Sequence, residues 1–258
     1  MRVFDFTHAI VRTPGHSVVD GLRDDASVTP TFERVLAQHT AYVAALRGAG
    51  LAVDVLPALE AFPDSVFVED PALTFPQGAI LMRPGAPSRA GEREDMRRVL
   101  RRHFDRVLEL QDHEHADGGD ILVTPHTVFI GLSARTTQTG AEALARNLAT
   151  LGRKSRIIEA PKGVLHLKTA ASLVSEDTML VMKQMIPGGV FADFRLLSPP
   201  AGEEAAANSL RINDEIFVGE SYPGTIALLR QHGFAVRPLP VDEVAKLDAG
   251  FSCMSLRW

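Results

Sequence analysis

One structural unit recurs along this sequence, and the repetition constrains the fold more than any other feature. In residues 72–104, a short apolar strand, a turn, a second strand, a polar loop and an amphipathic helix follow one another, and residues 119–152 and 208–236 repeat that order. A unit of this size cannot bury a core of its own, so several copies must pack against one another.

Two further units complete the predicted set. Residues 165–184 contain two strands but no convincing helix. A strand over residues 9–12, with the helix after it, can pair with the last segment of the chain. No linker rich in Ser, Gly or Pro separates the units, so we expect one α/β domain over residues 1–258, with five ββαβ modules around a central site.

The helices and turns have clear local signals. An apolar stripe over residues 32–46 predicts a helix that stops near Gly48 and Gly50. Thr139 and Glu142 are predicted to form a capping box at the start of a later helix. The three clearest units turn between their strands at Pro76-Gln77-Gly78, Pro125-His126 and Asn213-Asp214.

Composition narrows the class of protein. Of the 258 residues, 45% are hydrophobic and 23% charged, which is ordinary for a globular protein. The net charge of −5 is spread along the chain, and the densest basic stretch, residues 97–106, alternates with apolar residues at helical spacing, so no nucleic-acid partner is expected. A single cysteine cannot form an internal disulfide, and no segment approaches the length of a membrane span. We therefore expect a cytoplasmic protein without membrane association.

Three carboxylates stand close together in the stretch DSVFVED. Asp64, Glu69 and Asp70 flank an apolar run that contains Phe67. Buried carboxylates are costly unless a cation pairs with them, so the cluster predicts a cationic group on the substrate. A solvated turn before a strand is the alternative interpretation.

Three other residues could supply nucleophilic catalysis. Asp117 precedes two glycines, His166 lies in a predicted strand with Lys168 on the same face, and Cys253 is the lone cysteine. Each is more often structural when taken alone. Together, from three different repeats, they are the parts that a Cys–His hydrolase needs.

Charged residues in the loops add a prediction about the substrate and raise a metal-site alternative. Arg89 and Arg135 predict a carboxylate at the end of the substrate opposite its cationic group, which describes an amino acid with a basic side chain. The run His113-Glu114-His115 suggests a metal site, but its spacing matches no established motif, and we expect no metal there.

Seven stretches of the chain carry a resemblance to a known family. They are RTPGHSVVDGL, FPDSVFVED, RPGAPSR, ADGGDIL, GLSARTT, VLHLKTA and SCMSLRW. In this order they resemble the dimethylarginine dimethylaminohydrolases of the guanidine-modifying superfamily, along essentially the whole chain. The resemblance implies the pentein fold, a five-bladed α/β propeller with pseudo-fivefold symmetry. It also implies hydrolysis of Nω-methylated arginine to citrulline and dimethylamine or methylamine without a cofactor, and a homodimer.

The resemblance further implies a role for each candidate residue. The family roles fall on catalytic groups (Cys253, His166 and Asp117), α-carboxylate grips (Arg89 and Arg135), an α-amine site (Asp64 with the backbone carbonyls of Leu22 and Leu247) and a guanidinium pocket (Asp70, Glu69 and Phe67). The implied mechanism is covalent, through a thiouronium intermediate on the cysteine. Zinc held by Cys253 and His166 would inhibit it.

Two alternatives remain at this level. A deiminase-type hydrolase would act on unmodified arginine or a related guanidine, although arginine deiminases are longer and carry an inserted helical region that is absent here. A non-catalytic propeller would bind a partner, although such a relative is expected to have lost one of the three catalytic residues.

Overall fold

The computed structural model describes residues 2–160 and 163–258, and within those ranges it contains fifteen strands and six α-helices. The strands are β1 (His8–Arg12), β2 (Ala52–Leu56), β3 (Ala72–Phe75), β4 (Gly78–Leu81), β5 (Val107–Glu109), β6 (Ile121–Val123), β7 (Val128–Leu132), β8 (Ser155–Glu159), β9 (Ala171–Leu173), β10 (Thr178–Val181), β11 (Arg195–Leu197), β12 (Leu210–Ile212), β13 (Glu215–Gly219), β14 (Ala235–Leu239) and β15 (Leu256–Arg257). The helices are α1 (Phe32–Gly48), α2 (Glu92–His103), α3 (Gln138–Thr150), α4 (Leu167–Ala170), α5 (Pro223–Gln231) and α6 (Asp242–Ala245).

The strands form five sheets with one shared pattern. Each has three strands, in the orders β15-β1-β2, β3-β4-β5, β6-β7-β8, β9-β10-β11 and β12-β13-β14. In every sheet the first strand in these orders, which we call the inner strand, is antiparallel to the middle one, and the middle strand is parallel to the last. The sheets are the blades of a five-bladed α/β propeller, which confirms the predicted fold class.

The first blade joins the two ends of the chain. β15 pairs antiparallel with β1, with Ala9 opposite Arg257, while β2 pairs parallel with β1 on its other side. This confirms the predicted pairing of the first strand with the last segment. Around the axis β15 contacts β3, β6 contacts β9 and β9 contacts β12, and apolar packing between the last and first blades closes the ring.

The hydrophobic core is divided into five clusters, and each one lies between two neighbouring blades. In the cluster between the last blade and the first, Val11 of β1 packs with Ile212 and Phe217. The other four clusters join the first blade to the second, the second to the third, the third to the fourth and the fourth to the fifth. Every blade therefore buries apolar surface against both neighbours, as the repeat requires. The expectation of one domain over residues 1–258 stays a prediction.

One predicted strand is wrong. Residues around His166 and Lys168 were expected to be extended, but α4 begins at Leu167 and the inner strand of that blade begins only at Ala171. The cause is tertiary, because the backbone N–H of Leu167 donates to Asp120 Oδ1 at 2.9 Å and starts a helical turn there. The doubt about a long helix in this unit is confirmed, since only a 3-10 turn, Lys183–Met185, is assigned as helical between β10 and β11.

The start of α3 also differs from the prediction. Thr137, not Thr139, is its N-cap, and the Thr137 hydroxyl accepts a hydrogen bond from the Gly140 N–H at 3.1 Å. At the other end, Gly152 adopts a φ of +74°, which terminates the helix. Among the helices of residues 2–160 and 163–258, none has the length and apolar character needed to cross a membrane.

This cap allows a matched test. Thr137→Ala is expected to lower the free energy of unfolding by about 1 kcal/mol, because it removes the partner of an otherwise unsatisfied helix N–H. Thr139→Ala, at an equally exposed position two residues later, is expected to change it by less than about 0.5 kcal/mol. Urea denaturation of both variants measures the difference. Equal losses would contradict the assignment of the cap.

Candidate active site

Seven of the eleven candidate residues occupy one equivalent place in the repeat (Asp64, Phe67, Glu69, Asp70, Asp117, His166 and Cys253). In four of the five blades, these residues lie in or next to a short helical turn that precedes the inner strand. The turns are residues 63–66 before β3, residues 117–120 before β6, residues 166–170 before β9 and residues 252–254 before β15. Glu69 and Asp70 lie between the first of these turns and β3. Because the inner strands surround the axis, these turns converge at one end of it. The predicted residues from different repeats are brought together in this way.

Asp117 and His166 are in direct contact, as expected if the carboxylate orients a catalytic imidazole. His166 Nε2 lies 3.1 Å from Asp117 Oδ2, and Gly85 N–H donates to the other carboxylate oxygen at 2.7 Å. Burial disfavours the charged imidazole, but the hydrogen bond to Asp117 and the charges of Asp70 and Asp120 outweigh it, so the pKa of His166 is raised. The ring therefore holds a proton more readily than a free histidine does.

The two glycines after Asp117 are required by close approach. A Cβ on Gly118 would lie 2.0 Å from the carbonyl oxygen of Glu69, and a Cβ on Gly119 would lie 2.5 Å from His166 Nδ1. Neither contact is sterically allowed. The backbone at Gly119 thus forms a wall against which the imidazole packs.

Asp120 is a functional residue that the sequence analysis did not identify. Its fully buried carboxylate accepts hydrogen bonds from the Leu167 N–H at 2.9 Å and from the hydroxyls of Ser133 and Thr136, both at 2.6 Å. The Leu167 contact holds the residue next to His166. Its position in the GGD run was visible in the sequence, but nothing local indicated which side chains it would meet.

The two hydroxyls extend the influence of Asp120 to two other candidates. Thr136 Oγ1 accepts from the Asp117 N–H at 3.1 Å, and Ser133 Oγ accepts from the Arg135 N–H at 3.0 Å. Through these contacts Asp120 supports the histidine, its orienting acid and the Arg135 loop together. It is a positioning residue.

Arg89 is more deeply buried than we expect of a residue that binds the substrate α-carboxylate. Its buried guanidinium forms ion pairs with Asp70 and Glu92, the latter at 2.8 Å, and donates to the Phe67 carbonyl at 2.9 Å. The Asp64 carbonyl accepts a further bond at 3.2 Å. Four of its five N–H groups are thereby engaged, which leaves one on Nη1. The role of α-carboxylate grip stays a prediction for Arg89, and its visible role is to neutralise Asp70.

Arg135 differs from Arg89 because its guanidinium forms no ion pair with another residue of the part of the chain that the structure describes. It lies close enough to Asp64 for its charge to oppose the rise in that group's pKa, which burial causes. Asp64 Oδ1 accepts from the Leu22 N–H at 2.9 Å. A Cβ on Gly21 would lie 3.0 Å from Leu247 Cδ2 and 3.1 Å from Asp64 Oδ1, so the predicted α-amine residues are close together.

Cys253 lies in the turn Ser252–Met254 against the acidic segment. Its carbonyl accepts from the Glu69 N–H at 3.2 Å. Burial, followed by the negative charges of Glu69 and Asp70, raises the pKa of the Cys253 thiol to about 11. The negative charges beside it therefore disfavour the thiolate.

Glu69 and Phe67 lie behind the predicted pocket. The Glu69 carboxylate pairs with Lys168 at 2.5 Å and with Arg257 at 3.0 Å. The Phe67 side chain packs in the cluster between the first and last blades, beside Phe251. Their assignment to the guanidinium pocket remains a prediction.

Ligand atoms of Asp70, Asp117 and His166 lie within 4.8 Å of one another, which raises the question of a metal. Positive charge is already present at these acids, because Arg89 pairs with Asp70 and the readily protonated His166 contacts Asp117. The arrangement suits proton handling better than metal coordination. The His113-Glu114-His115 run is a surface turn, in which Glu114 pairs with Arg146 at 3.1 Å.

The charges of the site do not balance. Six buried carboxylates lie around it (Asp64, Glu69, Asp70, Glu92, Asp117 and Asp120). The arginines and lysine that face them are four (Arg89, Arg135, Lys168 and Arg257). Burial raises the pKa of Asp64, Glu92 and Asp120, and neighbouring carboxylates raise those of Asp64 and Glu92 further. The site is therefore suited to a cationic ligand.

The role of Asp120 can be measured without knowing the reaction. Asp120→Asn is expected to lower the pKa of His166, because it removes a negative charge that favours the imidazolium. Histidine NMR across pH, with the resonance assigned by a His166→Gln variant, gives this value. Asp177→Asn is the matched control, since Asp177 also accepts from two hydroxyls but lies on an exposed turn. An unchanged His166 pKa in Asp120→Asn would contradict the assignment.

Comparison with known proteins shows what this chain is similar to. The arginine deiminase family model matches residues 57–206. N(G),N(G)-dimethylarginine dimethylaminohydrolase of Pseudomonas aeruginosa is 36% identical over 254 residues, which cover 98% of this chain and 100% of that protein.

Two solved structures are similar over the whole chain. A crystallised cysteine-to-serine variant of the Pseudomonas aeruginosa enzyme, complexed with citrulline, superposes with a TM-score of 0.95 at 36% identity and covers 99% of this chain and 100% of its own. A histidine-to-glycine variant of a dimethylarginine dimethylaminohydrolase, as an adduct with S-methyl-L-thiocitrulline, has a TM-score of 0.95 at 35% identity over 98% of this chain and 100% of its own. The 36% identity over nearly the whole chain and the matched fold together show that this chain belongs to the dimethylarginine dimethylaminohydrolase family.

Proposed function

We propose that this protein hydrolyses Nω-methylated arginine, in its asymmetric dimethyl and monomethyl forms, to citrulline and dimethylamine or methylamine. The observation that carries the proposal is the excess of buried carboxylates over arginines and lysines in the site, with Asp70 close enough to raise the pKa of the Cys253 thiol. The family membership supports it, since a relative is complexed with citrulline.

The substrate is held at both ends. Its guanidinium pairs with Asp70, whose carboxylate keeps free lone pairs beside its contacts with Arg89 and Gly119. Its α-carboxylate meets the guanidinium of Arg135, and its α-amine meets Asp64 and the carbonyls of Leu22 and Leu247. Two charged ends with a fixed separation select an amino acid over a simple guanidine.

Binding of the substrate also activates the nucleophile. The Cys253 pKa is about 11 partly because Glu69 and Asp70 carry negative charge. A guanidinium beside Asp70 compensates that charge and lowers the thiol pKa. The reactive thiolate then forms mainly when a cationic substrate is bound.

The chemistry proceeds in two halves. The Cys253 thiolate attacks the guanidinium carbon, the bond to the methylated nitrogen breaks, and His166 gives its proton to the departing amine. A thiouronium remains on the sulfur. His166 then takes a proton from a water molecule that attacks the same carbon, the C–S bond breaks, and citrulline leaves. Asp117 keeps the imidazole oriented through both steps.

The match to the arginine deiminase family model favours unmodified arginine as a second candidate substrate. The chemistry on Cys253 would be the same, with ammonia as the leaving group. The two substrates differ only in the methyl groups on the guanidinium. Measured turnover must decide between them.

The test is citrulline release from asymmetric dimethylarginine, monomethylarginine and arginine. The wild type is expected to favour the methylated substrates, and Cys253→Ser is expected to lower kcat by roughly 10³-fold or more, because it removes the nucleophile. Turnover of arginine alone would transfer the protein to the second candidate. Release of citrulline by Cys253→Ser at the wild-type rate would refute covalent catalysis on this residue.

Recognition of the α-carboxylate gives a separate prediction. Arg135→Gln is expected to raise KM for asymmetric dimethylarginine by about 10- to 100-fold, since a charge-assisted hydrogen bond contributes about 1.5–3 kcal/mol. The matched substrate is the decarboxylated analogue, dimethylated agmatine, for which the same substitution should leave KM nearly unchanged. Equal losses on both substrates would mean that Arg135 acts elsewhere.

The homodimer, which only the family resemblance implies, and the cytoplasmic location, which the sequence predicts, stay predictions. Analytical ultracentrifugation of the full chain tests the first, and fractionation of cells tests the second.

A further inference from the structure

A cavity of about 460 Å³ lies on the propeller axis, outside the substrate site assigned above. All five inner strands, β3, β6, β9, β12 and β15, contribute to its wall, together with the N-terminal segment Arg2–Phe6. Of the eleven residues given family roles, only Glu69 lines it among the described residues. Its volume falls in the range of small-molecule sites, about 300–1,000 Å³.

A layer of charged side chains separates this axial cavity from the reaction site. Glu69 Oε1 accepts from Lys168 at 2.5 Å and from Arg257 at 3.0 Å, and all three residues line the cavity. The Glu69 backbone N–H in turn contacts the Cys253 carbonyl. The floor of the axial cavity is thus the rear wall of the nucleophile's surroundings.

The charge in the axial cavity is unequal in sign. Five basic residues line it (Arg2, Arg153, Lys168, Arg211 and Arg257), against two acidic ones (Asp5 and Glu69). Both Lys168 and Arg257 share a single oxygen of Glu69, so the floor carries a net positive charge. Lys168 keeps N–H groups beyond this ion pair. An anion is the complementary occupant.

The upper wall is apolar and aromatic. Arg153 lies 4.8 Å from the centroid of the Phe75 ring, and Arg211 lies 4.9 Å from that of Phe4. Leucines from four of the inner strands complete this part of the wall, at Leu73, Leu122, Leu173 and Leu210. Water forms few hydrogen bonds against such surfaces. The planar, apolar part of a ligand can pack against the aromatic rings and against the guanidinium planes.

Hydrogen-bonding capacity at the wall is left unused. Ser172 Oγ, Arg257 Nε and Glu69 Oε2 are buried atoms without a hydrogen-bond partner, and all three residues line the axial cavity. Because no bond holds the Ser172 hydroxyl, rotation about its Cα–Cβ bond can turn it toward an occupant. Two of the three atoms are donors, which again suits an anionic acceptor.

We propose that the axial cavity binds a small organic carboxylate with an apolar, planar body. The carboxylate lies at the floor against Lys168, Arg257 and the Ser172 hydroxyl, and the body lies among the aromatic rings near the mouth. Sequence-level features did not indicate this site, because its residues are single positions from five different strands.

Occupation of the axial cavity affects the reaction site through the shared floor. An anion that draws Lys168 from Glu69 adds negative charge behind the thiol, and that charge opposes formation of the thiolate. Turnover then falls in kcat with KM unchanged, since the ligand does not compete with substrate. This effect rests on the proposed function, whereas binding itself does not.

Binding is tested on the full chain with 4-(trifluoromethyl)benzoate, observed by fluorine NMR. Each titration is run without citrulline and again with citrulline at saturating concentration, so that binding of the probe at the α-carboxylate site is revealed by its loss. Saturable binding is expected, with a dissociation constant on the order of a millimolar for a ligand of this size. The uncharged 4-(trifluoromethyl)benzamide is expected to bind at least about fivefold more weakly.

Three variants locate the probe. Ser172→Phe fills the axial cavity and should abolish binding, Ser172→Ala should weaken it several-fold, and Arg153→Gln, at the aromatic wall, should weaken it about twofold to fivefold. Ser198→Ala is the matched control, because Ser198 Oγ is also buried without a partner but does not line the axial cavity. If circular dichroism shows that Ser172→Phe is unfolded, the other two variants decide.

Several results would overturn the proposal. They are an absence of binding to the wild type, displacement of the probe by citrulline, unchanged binding in the folded Ser172 variants, and equal affinity for the benzamide. The last would mean that the axial cavity selects apolar bodies without regard to charge. An axial cavity that holds only water gives the first result.

Discussion

The arrangement at the axis depends on one buried guanidinium. Arg89 is the only cation that contacts both Asp70 and Glu92 among the described residues, and it also ties down the carbonyls of Asp64 and Phe67. Without it, two carboxylates would lie in the interior uncompensated and would take up protons instead of staying charged. The negative pocket that receives the substrate cation is therefore sustained by a positive charge that lies beneath it.

The propeller explains how distant segments meet. Each functional turn precedes an inner strand, so a single geometric rule places Asp70, Asp117, His166 and Cys253 at the same end of the axis. The five hydrophobic clusters between blades hold these turns at fixed separations. Contacts such as the one between His166 and Asp117 then form without any long loop that must order itself. The functional turns carry the reactive side chains, and the packing between blades fixes the distances between those side chains.

Much of this was predictable from local patterns. Apolar runs separated by turn residues indicated the strands. Polar residues in apolar or glycine-rich surroundings indicated Asp117, His166 and Cys253. Two features were beyond such patterns because they depend on tertiary contacts. His166 begins a helical turn since Asp120 accepts from the next N–H. Arg89 pairs inward since two acids lie nearest to it. A charged residue in a sequence indicates the sign of its partner but not its identity.

The paired glycines after Asp117 have a consequence for how this site can change. The space at Gly118 and Gly119 is already filled by the Glu69 carbonyl and the His166 ring, so no side chain can be added there. Exposed side chains at the edge of the site, such as Leu22, are free of this constraint. The fold thus fixes the backbone beside His166 while it leaves such exposed positions open to protein engineering.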